Sequence, residues 1–372
     1  MRQLKLIISS SFIFLLFSLS PYFKNNADNL SNSCSNMLTK PNVHGVLWTT
    51  SVKSSISLTA IKSINFGNFR INTPYVSDTL TDFDYVTSKD GTTLIFISAS
   101  RDSIPQRSIN ILSIDKAAQT LPINEKDFVW DYIGPERESN HFGVLAHSSK
   151  NVLVLLDVTW STTSLVINVS DTLPISITNF DGLFLSLSPD WSTVIYGEQN
   201  TATLRFYSTS TNQLTVQYFY KGQGYPYISW SANAFPVTIL PYTIDDTVVR
   251  SINQQGFVGN IAHLEGTVQS ASSLNSKGQL LLAVSSTLSS QSISGNSFKY
   301  VLFDVRTGEI TDLCISGDSY KILKWGSDER FIGIVENYQD TQRILFLDTT
   351  TRNFFYLYLT NLDSFPFDWV ER

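Results

Sequence analysis

The chain has 372 residues, of which 42% are hydrophobic, 13% aromatic and 16% charged, and its net charge is −6. This composition can fill the core of one large domain or two ordinary ones, and the charged fraction is low against the about 25% of an average soluble protein. Lysine and arginine form no cluster anywhere in the chain. We therefore expect no nucleic-acid partner, because nucleic-acid surfaces carry grouped basic residues.

The first residues are predicted to target or anchor the chain. Arg2 and Lys5 precede a largely apolar run without charges over residues 6–23. The length of this run fits both a cleaved signal peptide and an uncleaved membrane span, so residues 1–24 are assigned to one of these two alternatives. Basic residues stay on the cytoplasmic side. We therefore expect a protein that is membrane-anchored with its body outside the cytoplasm, or secreted.

Residues 25–40 are rich in asparagine and serine and are predicted to form a flexible tether. Cys34 lies in this tether, and Cys314, the second of the two cysteines, follows a predicted strand. In an oxidising compartment the two could form a disulfide, the alternative being two free thiols with Cys314 buried. Two cysteines alone do not provide a metal-site spacing.

The body, residues 41–372, is predicted to be all-β. Short runs of β-branched and aromatic residues alternate with glycine, asparagine, aspartate, serine and proline from Val43 onwards. This pattern is typical of short strands separated by turns, and no segment has the periodicity of a long amphipathic helix.

One phrase recurs along the body. It is clearest over residues 183–196 and returns over 85–96, 273–282 and 323–333. Each copy places a turn between two strands. We align the units on the residue that closes the first strand of each: Ser88, Gly134, Ser188, Ser231, Asn275, Gly326 and Val370. These positions lie roughly 43 to 54 residues apart, which is near the period of propeller blades.

The residue before each of these positions is mostly apolar and includes Trp230, Trp325 and Trp369. A column of this kind is typical of packing between neighbouring blades. Each unit offers further strands, and four strands per unit define a propeller blade. The tryptophans of the column are therefore predicted to belong to the core.

The two ends of the body complement each other. Residues 367–372 supply only the first strand of a seventh unit, and residues 45–50, 55–61 and 66–72 supply three strands without a first one. We predict that the C-terminal strand joins these N-terminal strands to complete the last blade and close the ring. Closure would remove exposed sheet edges and hold the two ends together.

Residues 188–196 and 300–313 resemble the repeats of the TolB-type and WD-like propellers, in which Ser-Pro-Asp-Gly leads into the second strand and Asp-x-x-Thr-Gly links the third to the fourth. The chain departs from the pattern at Trp191, which replaces the glycine, and over residues 130–168, where the unit is degenerate. The prediction is seven four-stranded blades, with six or eight as alternatives. The resemblance implies a binding scaffold in most members and no catalytic residue.

Sequence motifs for catalysis or metal binding are missing from the chain. The four histidines have no zinc-site spacing, and neither a nucleophile elbow nor a phosphate-binding glycine loop occurs. We therefore assign no catalytic residue, no metal ligand and no cofactor.

Binding candidates come from the segments that lead into the first strands, because these gather at one mouth of a propeller. The aromatic candidates are Trp130, Tyr132, Tyr225, Tyr227 and Phe365. Their alternative role is to pack under the loops. Lys324 and Asp368 each precede a repeat position by two residues, so they either line neighbouring positions near the central channel or pair with each other.

These observations predict a propeller outside the cytoplasm that binds another protein or a small ligand at one mouth without chemistry. The alternative is a propeller enzyme, a metal-dependent lactonase or a glycosidase, that uses carboxylates in the channel, since such sites need no contiguous motif. A third possibility is a subunit of an envelope assembly in which the blades act as a spacer.

Overall fold

A computed structural model of the chain describes residues 36–37, 43–53, 58–66, 70–77, 83–99, 107–114, 116–121, 128–160, 165–176, 183–198, 203–219, 227–231, 234–240, 248–264, 266–285, 298–326, 328–338, 341–358 and 365–370. The predicted targeting segment, residues 1–24, lies outside the described residues. Among the described residues, no helix has the length and apolar character of a membrane span.

The first half of the chain forms strands β1 (Asn36–Met37), β2 (Val46–Lys53), β3 (Leu58–Asn65), β4 (Arg70–Ser77), β5 (Phe83–Thr87), β6 (Thr93–Ala99), β7 (Arg107–Ser113), β8 (Lys116–Leu121), β9 (Phe128–Glu138), β10 (His141–Ser148), β11 (Val152–Trp160), β12 (Leu165–Ser176), β13 (Leu183–Leu187) and β14 (Thr193–Glu198). The second half forms β15 (Thr203–Ser208), β16 (Gln213–Phe219), β17 (Tyr227–Ser231), β18 (Ala234–Leu240), β19 (Val248–Ile252), β20 (Val258–His263), β21 (Thr267–Ala271), β22 (Gln279–Ser285), β23 (Phe298–Asp304), β24 (Ile310–Gly317), β25 (Ser319–Trp325), β26 (Phe331–Tyr338), β27 (Thr341–Asp348), β28 (Asn353–Tyr358) and β29 (Phe365–Val370).

These strands form seven sheets, each built on four antiparallel strands. Blades 1 to 6 take their strands in chain order, β5–β8, β9–β12, β13–β16, β17–β20, β21–β24 and β25–β28, and blade 7 has the order β29-β2-β3-β4. The first strands of neighbouring blades contact each other, as β5 contacts β9 and β25 contacts β29. They are therefore the inner strands of a seven-bladed β-propeller, which confirms the predicted fold and blade number.

The core lies between the blades. The described residues contain seven clusters of buried apolar side chains, and each cluster combines residues of two consecutive blades, from blades 1 and 2 round to blades 7 and 1. Both faces of each blade are therefore apolar. Trp48, Trp130 and Trp369 are among the largest fully buried side chains, and each belongs to one of these interblade clusters.

Blade 7 combines the two ends of the body, as predicted. Strand β29 pairs antiparallel with β2, with Val370 opposite Val46. Trp369 packs edge-on against Phe346 of blade 6 at 5.2 Å between ring centroids. On the other side, the Trp48 indole N–H donates to the Gly91 carbonyl of blade 1 at 3.3 Å. The N-terminal strands lie a few residues later in the chain than predicted.

The recurring phrase is a turn held by its own side chains. Ser188 Oγ donates to Asp190 Oδ1 at 2.7 Å, and the Trp191 N–H donates to the Ser188 carbonyl at 3.0 Å. The fourth residue of the turn has a left-handed backbone, with φ of +61° at Trp191 and +70° at Gly91 of the equivalent turn in blade 1. This conformation favours glycine, which explains the glycine of the related repeats.

Trp191 occupies the glycine position because its ring fills the space between blades 2 and 3. The side chain is 2% exposed, and the indole N–H donates to the Pro135 carbonyl at 2.9 Å. The Arg137 guanidinium lies 4.2 Å from the ring centroid. Burial and the cation–π contact offset the strain of a left-handed tryptophan, which is on the order of 1–3 kcal/mol.

In the second unit the alignment on Gly134 is wrong. Gly134 lies inside β9, and the turn follows at residues 139–140. Register shifts along β9 and β10 insert extra residues into this pair, so the first strand is 11 residues long. A side chain at Gly134 would collide with Leu187 of blade 3, its Cβ lying 2.6 Å from Leu187 Cδ2. The glycine is therefore a packing position.

The described residues of the predicted tether form one short strand, β1. Asn36–Met37 pairs in parallel with β28, with Asn36 opposite Asn353 and Met37 opposite Phe354. This short strand covers part of the outer edge of blade 6. The rest of residues 25–40, apart from this pair, lies outside the described residues.

Candidate functional site

A pocket with a volume of ≈ 380 Å³ opens on the inner strands of blades 1, 6 and 7 and on the segment after β21 of blade 5. Its lining residues are Tyr85, Ser273, Leu274, Asn275, Lys321, Ile322, Leu323, Lys324, Trp325, Gly326, Glu329 and Asp368. We call it the inner-strand pocket. It combines two lysines, two carboxylates and two aromatic side chains.

Lys324 and Asp368, both predicted as binding candidates, lie together in this pocket. Lys324 Nζ lies 2.8 Å from Asp368 Oδ2, and Thr87 Oγ1 donates to the same oxygen at 2.7 Å. Lys324 Nζ also donates to Thr87 Oγ1. The two residues therefore both line the pocket and pair with each other. Their role in holding a ligand stays a prediction.

Asp368 is a structural carboxylate. The residue is 2% exposed, and its Oδ1 accepts the Trp369 N–H at 2.9 Å. With Lys324 and Thr87 on Oδ2, both carboxylate oxygens have donors. A buried carboxylate of this kind is stable because its charge is matched by hydrogen bonds and a cation. It joins the inner strands of blades 1, 6 and 7.

Lys321 is the least compensated charge of the pocket. Its Nζ donates to Tyr85 Oη and lies 4.8 Å from the centroid of the Tyr85 ring. In the part of the chain that the structure describes, no carboxylate lies within ion-pair distance of this ammonium. Burial lowers the pKa of Lys321, and the nearby Lys324 cation lowers it further while Asp368 opposes the change.

Tyr85 keeps its proton. Burial raises the pKa of its hydroxyl well above the usual value, and the carboxylates of Asp368 and Asp84 raise it further. The phenol therefore remains a hydrogen-bond donor as well as the acceptor of the Lys321 bond.

Two lysines three residues apart point to opposite faces of a regular strand. Both Lys321 and Lys324 nevertheless line the pocket. The pairing of β25 with β26 shifts register between Ser319 and Lys321 and again between Ile322 and Trp325. A bulge re-aims side chains in this way and is frequent beside functional sites.

Lys321 and Tyr85 were missed by the sequence analysis. They are 236 residues apart in the chain, so no local pattern links them. The sequence could have indicated Lys321, because it is a lysine within an apolar inner strand of the aligned repeats. A charge at such a position needs a partner or a cavity.

The rim of the pocket joins blades 5 and 6. The Trp325 indole N–H donates to the Ser273 carbonyl at 2.7 Å. Glu329 Oε1 accepts the Ser276 N–H at 2.8 Å, and its other oxygen accepts the Ser276 hydroxyl. Both carboxylates of the pocket, Asp368 and Glu329, therefore hold neighbouring blades together.

The aromatic candidates whose side chains the structure describes do not form one surface. Trp130 and Tyr132 lie within β9 rather than in a loop, and Trp130 is 1% exposed in the core between blades 1 and 2. The prediction that Trp130 lies at an open mouth is wrong, because its ring packs in the core between blades 1 and 2. Burial, followed by the Asp84 carboxylate, raises the pKa of Tyr132 to about 12.

Of the remaining three aromatic candidates, only Tyr227 has a side chain that the structure describes. Tyr227 lies in β17 and is half-buried, and its hydroxyl donates to the Gln269 carbonyl of blade 5 at 2.7 Å. Tyr225 lies outside the described residues. Phe365 begins β29, and its side chain lies outside the described part. Ligand binding by these residues stays a prediction.

Two histidines pair with carboxylates across strands. His147 Nδ1 lies 2.6 Å from Asp131 Oδ2, and His141 Nδ1 lies 3.2 Å from Asp157 Oδ1. Among the described residues no group of three or more histidine, cysteine, aspartate or glutamate side chains could hold a metal ion. Cys314 lies in β24 and is not a free thiol. Cys34 lies outside the described residues, so their pairing stays a prediction.

The fold and the site define a seven-bladed β-propeller with a small polar pocket on its inner strands. No protein-family model matches the chain. No curated protein matches it either.

Solved structures do match. A protein named "putative 6-phosphogluconolactonase" from Bacteroides fragilis is 10% identical at a TM-score of 0.53, covering 90% of this chain and 99% of that one. The C-terminal WD40 domain of Sif2 is 10% identical at a TM-score of 0.51, covering 90% of both chains. TolB from Acinetobacter baumannii is 10% identical at a TM-score of 0.45, covering 87% of this chain and 66% of that one. The first two likenesses show the fold alone and confirm the predicted propeller resemblance at that level.

Proposed function

We propose that this propeller is a binding protein without turnover, and that its inner-strand pocket takes a ligand that carries a carboxylate. The observation that carries the proposal is the Lys321 ammonium, which lines the pocket without a carboxylate partner in the described part of the chain. The ligand would be a small organic acid or an acidic side chain of another protein.

An ammonium removed from water is unfavourable unless an anion or several acceptors replace its hydration. Lys321 has one hydroxyl and one aromatic face as replacements. A ligand carboxylate would add a charge-assisted hydrogen bond, and such bonds are about twice as strong as neutral ones. The protonated Tyr85 hydroxyl can donate to the same ligand.

The enzyme alternative receives less support from the pocket. A glycosidase requires two carboxyl groups that are available to the substrate. The carboxylates of the pocket, Asp368 and Glu329, are instead occupied by donors from neighbouring blades. A fold likeness at 10% identity to a protein named as a lactonase assigns no reaction.

Substitution of Lys321 tests the proposal. Isothermal titration of the full-length protein with acetate, succinate and citrate should show binding that weakens at high salt. Lys321→Met should weaken it roughly 10-fold to 100-fold, because a hydrogen bond to a charged group contributes about 1.5–3 kcal/mol.

Lys299→Met is the matched control, since Lys299 is an exposed lysine of β23, and it should leave the affinity unchanged. An acidic peptide titrated in parallel separates a protein partner from a small acid. The proposal fails if the wild-type protein binds none of these probes, or if the two variants bind them equally.

We further propose that the body works outside the cytoplasm. The proposal is supported by Arg2, Lys5 and the apolar run of residues 6–23. Exposed lysines such as Lys277 should react with an amine reagent that does not cross the cytoplasmic membrane when it is added to intact cells. Labelling that requires cell lysis would contradict this location.

A further inference from the structure

We propose that the ligand of the inner-strand pocket is an oxo acid, and that Lys321 captures its carbonyl carbon as a reversible imine. This inference rests on the proposed carboxylate binding and names the class of acid. It adds covalent capture to that function and requires no turnover.

The geometry brings together the groups that imine formation needs. Lys321 Nζ contacts Tyr85 Oη, so an amine and a phenol face the same cavity of ≈ 380 Å³. Lys324 lines the same pocket three residues further along β25. A small oxo acid fits a cavity of this size.

The surroundings of each group favour the protonation state that the reaction needs. An amine attacks a carbonyl only when it is neutral, and lysines become nucleophilic when they are desolvated or lie beside another cation. Both conditions apply to Lys321, whose pKa is lowered by burial and by Lys324 against the opposing effect of the Asp368 carboxylate. Tyr85, whose pKa is raised, holds a proton that it can give to a leaving hydroxyl.

Once Lys321 has given up its proton, the Lys324 ammonium can hold the carboxylate of the same ligand. It has three N–H donors, of which two are directed at Asp368 and Thr87. The side chain is 43% exposed, so the third donor can reach a ligand. The two lysines would thus bind the two ends of one oxo acid.

The reaction balances without an oxidant or reductant. The Lys321 ammonium first gives one proton to water. Its Nζ lone pair then attacks the carbonyl carbon, and the electrons of the C=O bond move to oxygen, which takes a proton from the nitrogen. Tyr85 then protonates this hydroxyl, water leaves, and the nitrogen returns a proton to Tyr85. The products are the imine and one water molecule, and water reverses the reaction.

Borohydride trapping tests the inference. Full-length protein is mixed with pyruvate or glyoxylate and reduced, and the modified lysine is located by peptide mass mapping. We expect one reduced adduct at Lys321. Lys321→Arg keeps a cation in the pocket and should abolish this adduct while pyruvate affinity changes by only a few fold.

Two further variants test the role of Tyr85 and the selectivity for Lys321. Tyr85→Phe should slow adduct formation on the order of 100-fold, because positioned proton transfer contributes about 10²–10⁴-fold to a rate. Lys277→Arg, at an exposed turn, should change nothing at Lys321. If the Tyr85 ring had only a structural role, Tyr85→Phe would leave the rate unchanged, since phenylalanine preserves the packing.

The possible failures are distinguishable. If wild-type protein binds pyruvate by titration but gives no adduct at Lys321, the imine is overturned and the proposed carboxylate binding stands. Adducts that spread over exposed lysines and persist in Lys321→Arg also overturn it. If the protein binds no acid at all, both proposals are overturned.

Discussion

A chain that lacks residues 365–372 should fail to form a stable propeller. The deletion removes β29 and leaves β2 without its inner neighbour in blade 7. It also removes Trp369, which is fully buried between blades 6 and 7, and Asp368, which joins Lys324 and Thr87. Loss of one buried tryptophan alone costs about 3–5 kcal/mol of unfolding free energy. Deletion of the whole strand should therefore remove most of the about 5–15 kcal/mol that stabilises a typical domain.

Urea unfolding followed by circular dichroism measures this effect. The matched control is a permuted chain that begins at residue 365 and joins residue 372 to residue 43 through a short linker. Val370 lies opposite Val46 in the β29–β2 pair, so the new connection spans a short distance. The permuted chain should unfold cooperatively near the wild-type midpoint. A truncated chain with an unchanged midpoint would contradict the role given to β29.

Replacement of Glu336 by alanine should cost about 3–5 kcal/mol of unfolding free energy, because removal of one partner leaves the other charge buried. Glu336 is 0% exposed and lies between blades 5 and 6. Its Oε1 accepts the Tyr300 hydroxyl at 2.5 Å, and its Oε2 accepts Arg343 Nε at 2.8 Å. The Arg343 guanidinium also lies 3.8 Å from the centroid of the Tyr356 ring.

Two variants isolate the cause of that loss. Glu309→Ala removes an exposed glutamate and should change stability by less than about 0.5 kcal/mol. Replacement of both Glu336 and Arg343 by apolar residues should recover part of the loss, since neither charge is then left alone. If Glu336→Ala unfolds at the wild-type midpoint, the buried pair does not stabilise the interface between blades 5 and 6.

The architecture could be predicted because its determinants are local. The turn at Ser188 and Asp190 is made by side chains two residues apart, and the equivalent turn at Ser88 uses the same bonds. Short apolar strands on either side complete the unit. Repetition of this unit then predicts the propeller, and the incomplete units at the two ends predict the pairing of β29 with β2.

The site could be predicted only in part because it is assembled from distant segments. Lys324 and Asp368 were found through their positions in the repeat, whereas the contact of Lys321 with Tyr85 joins segments 236 residues apart. Trp130 was misplaced because β9 carries register shifts that the repeat spacing does not reveal. A bulge changes which side chains face a cavity without changing the residue types.

The most direct test of the central claim is a crystal structure of the protein soaked with citrate. A carboxylate oxygen should lie about 2.7–2.9 Å from Lys321 Nζ, the length of a charge-assisted hydrogen bond. The Lys324–Asp368 pair should remain in place beside it. An empty pocket at saturating citrate, or a Lys321 ammonium paired with a carboxylate of the chain itself, would contradict the assignment of this pocket as the ligand site.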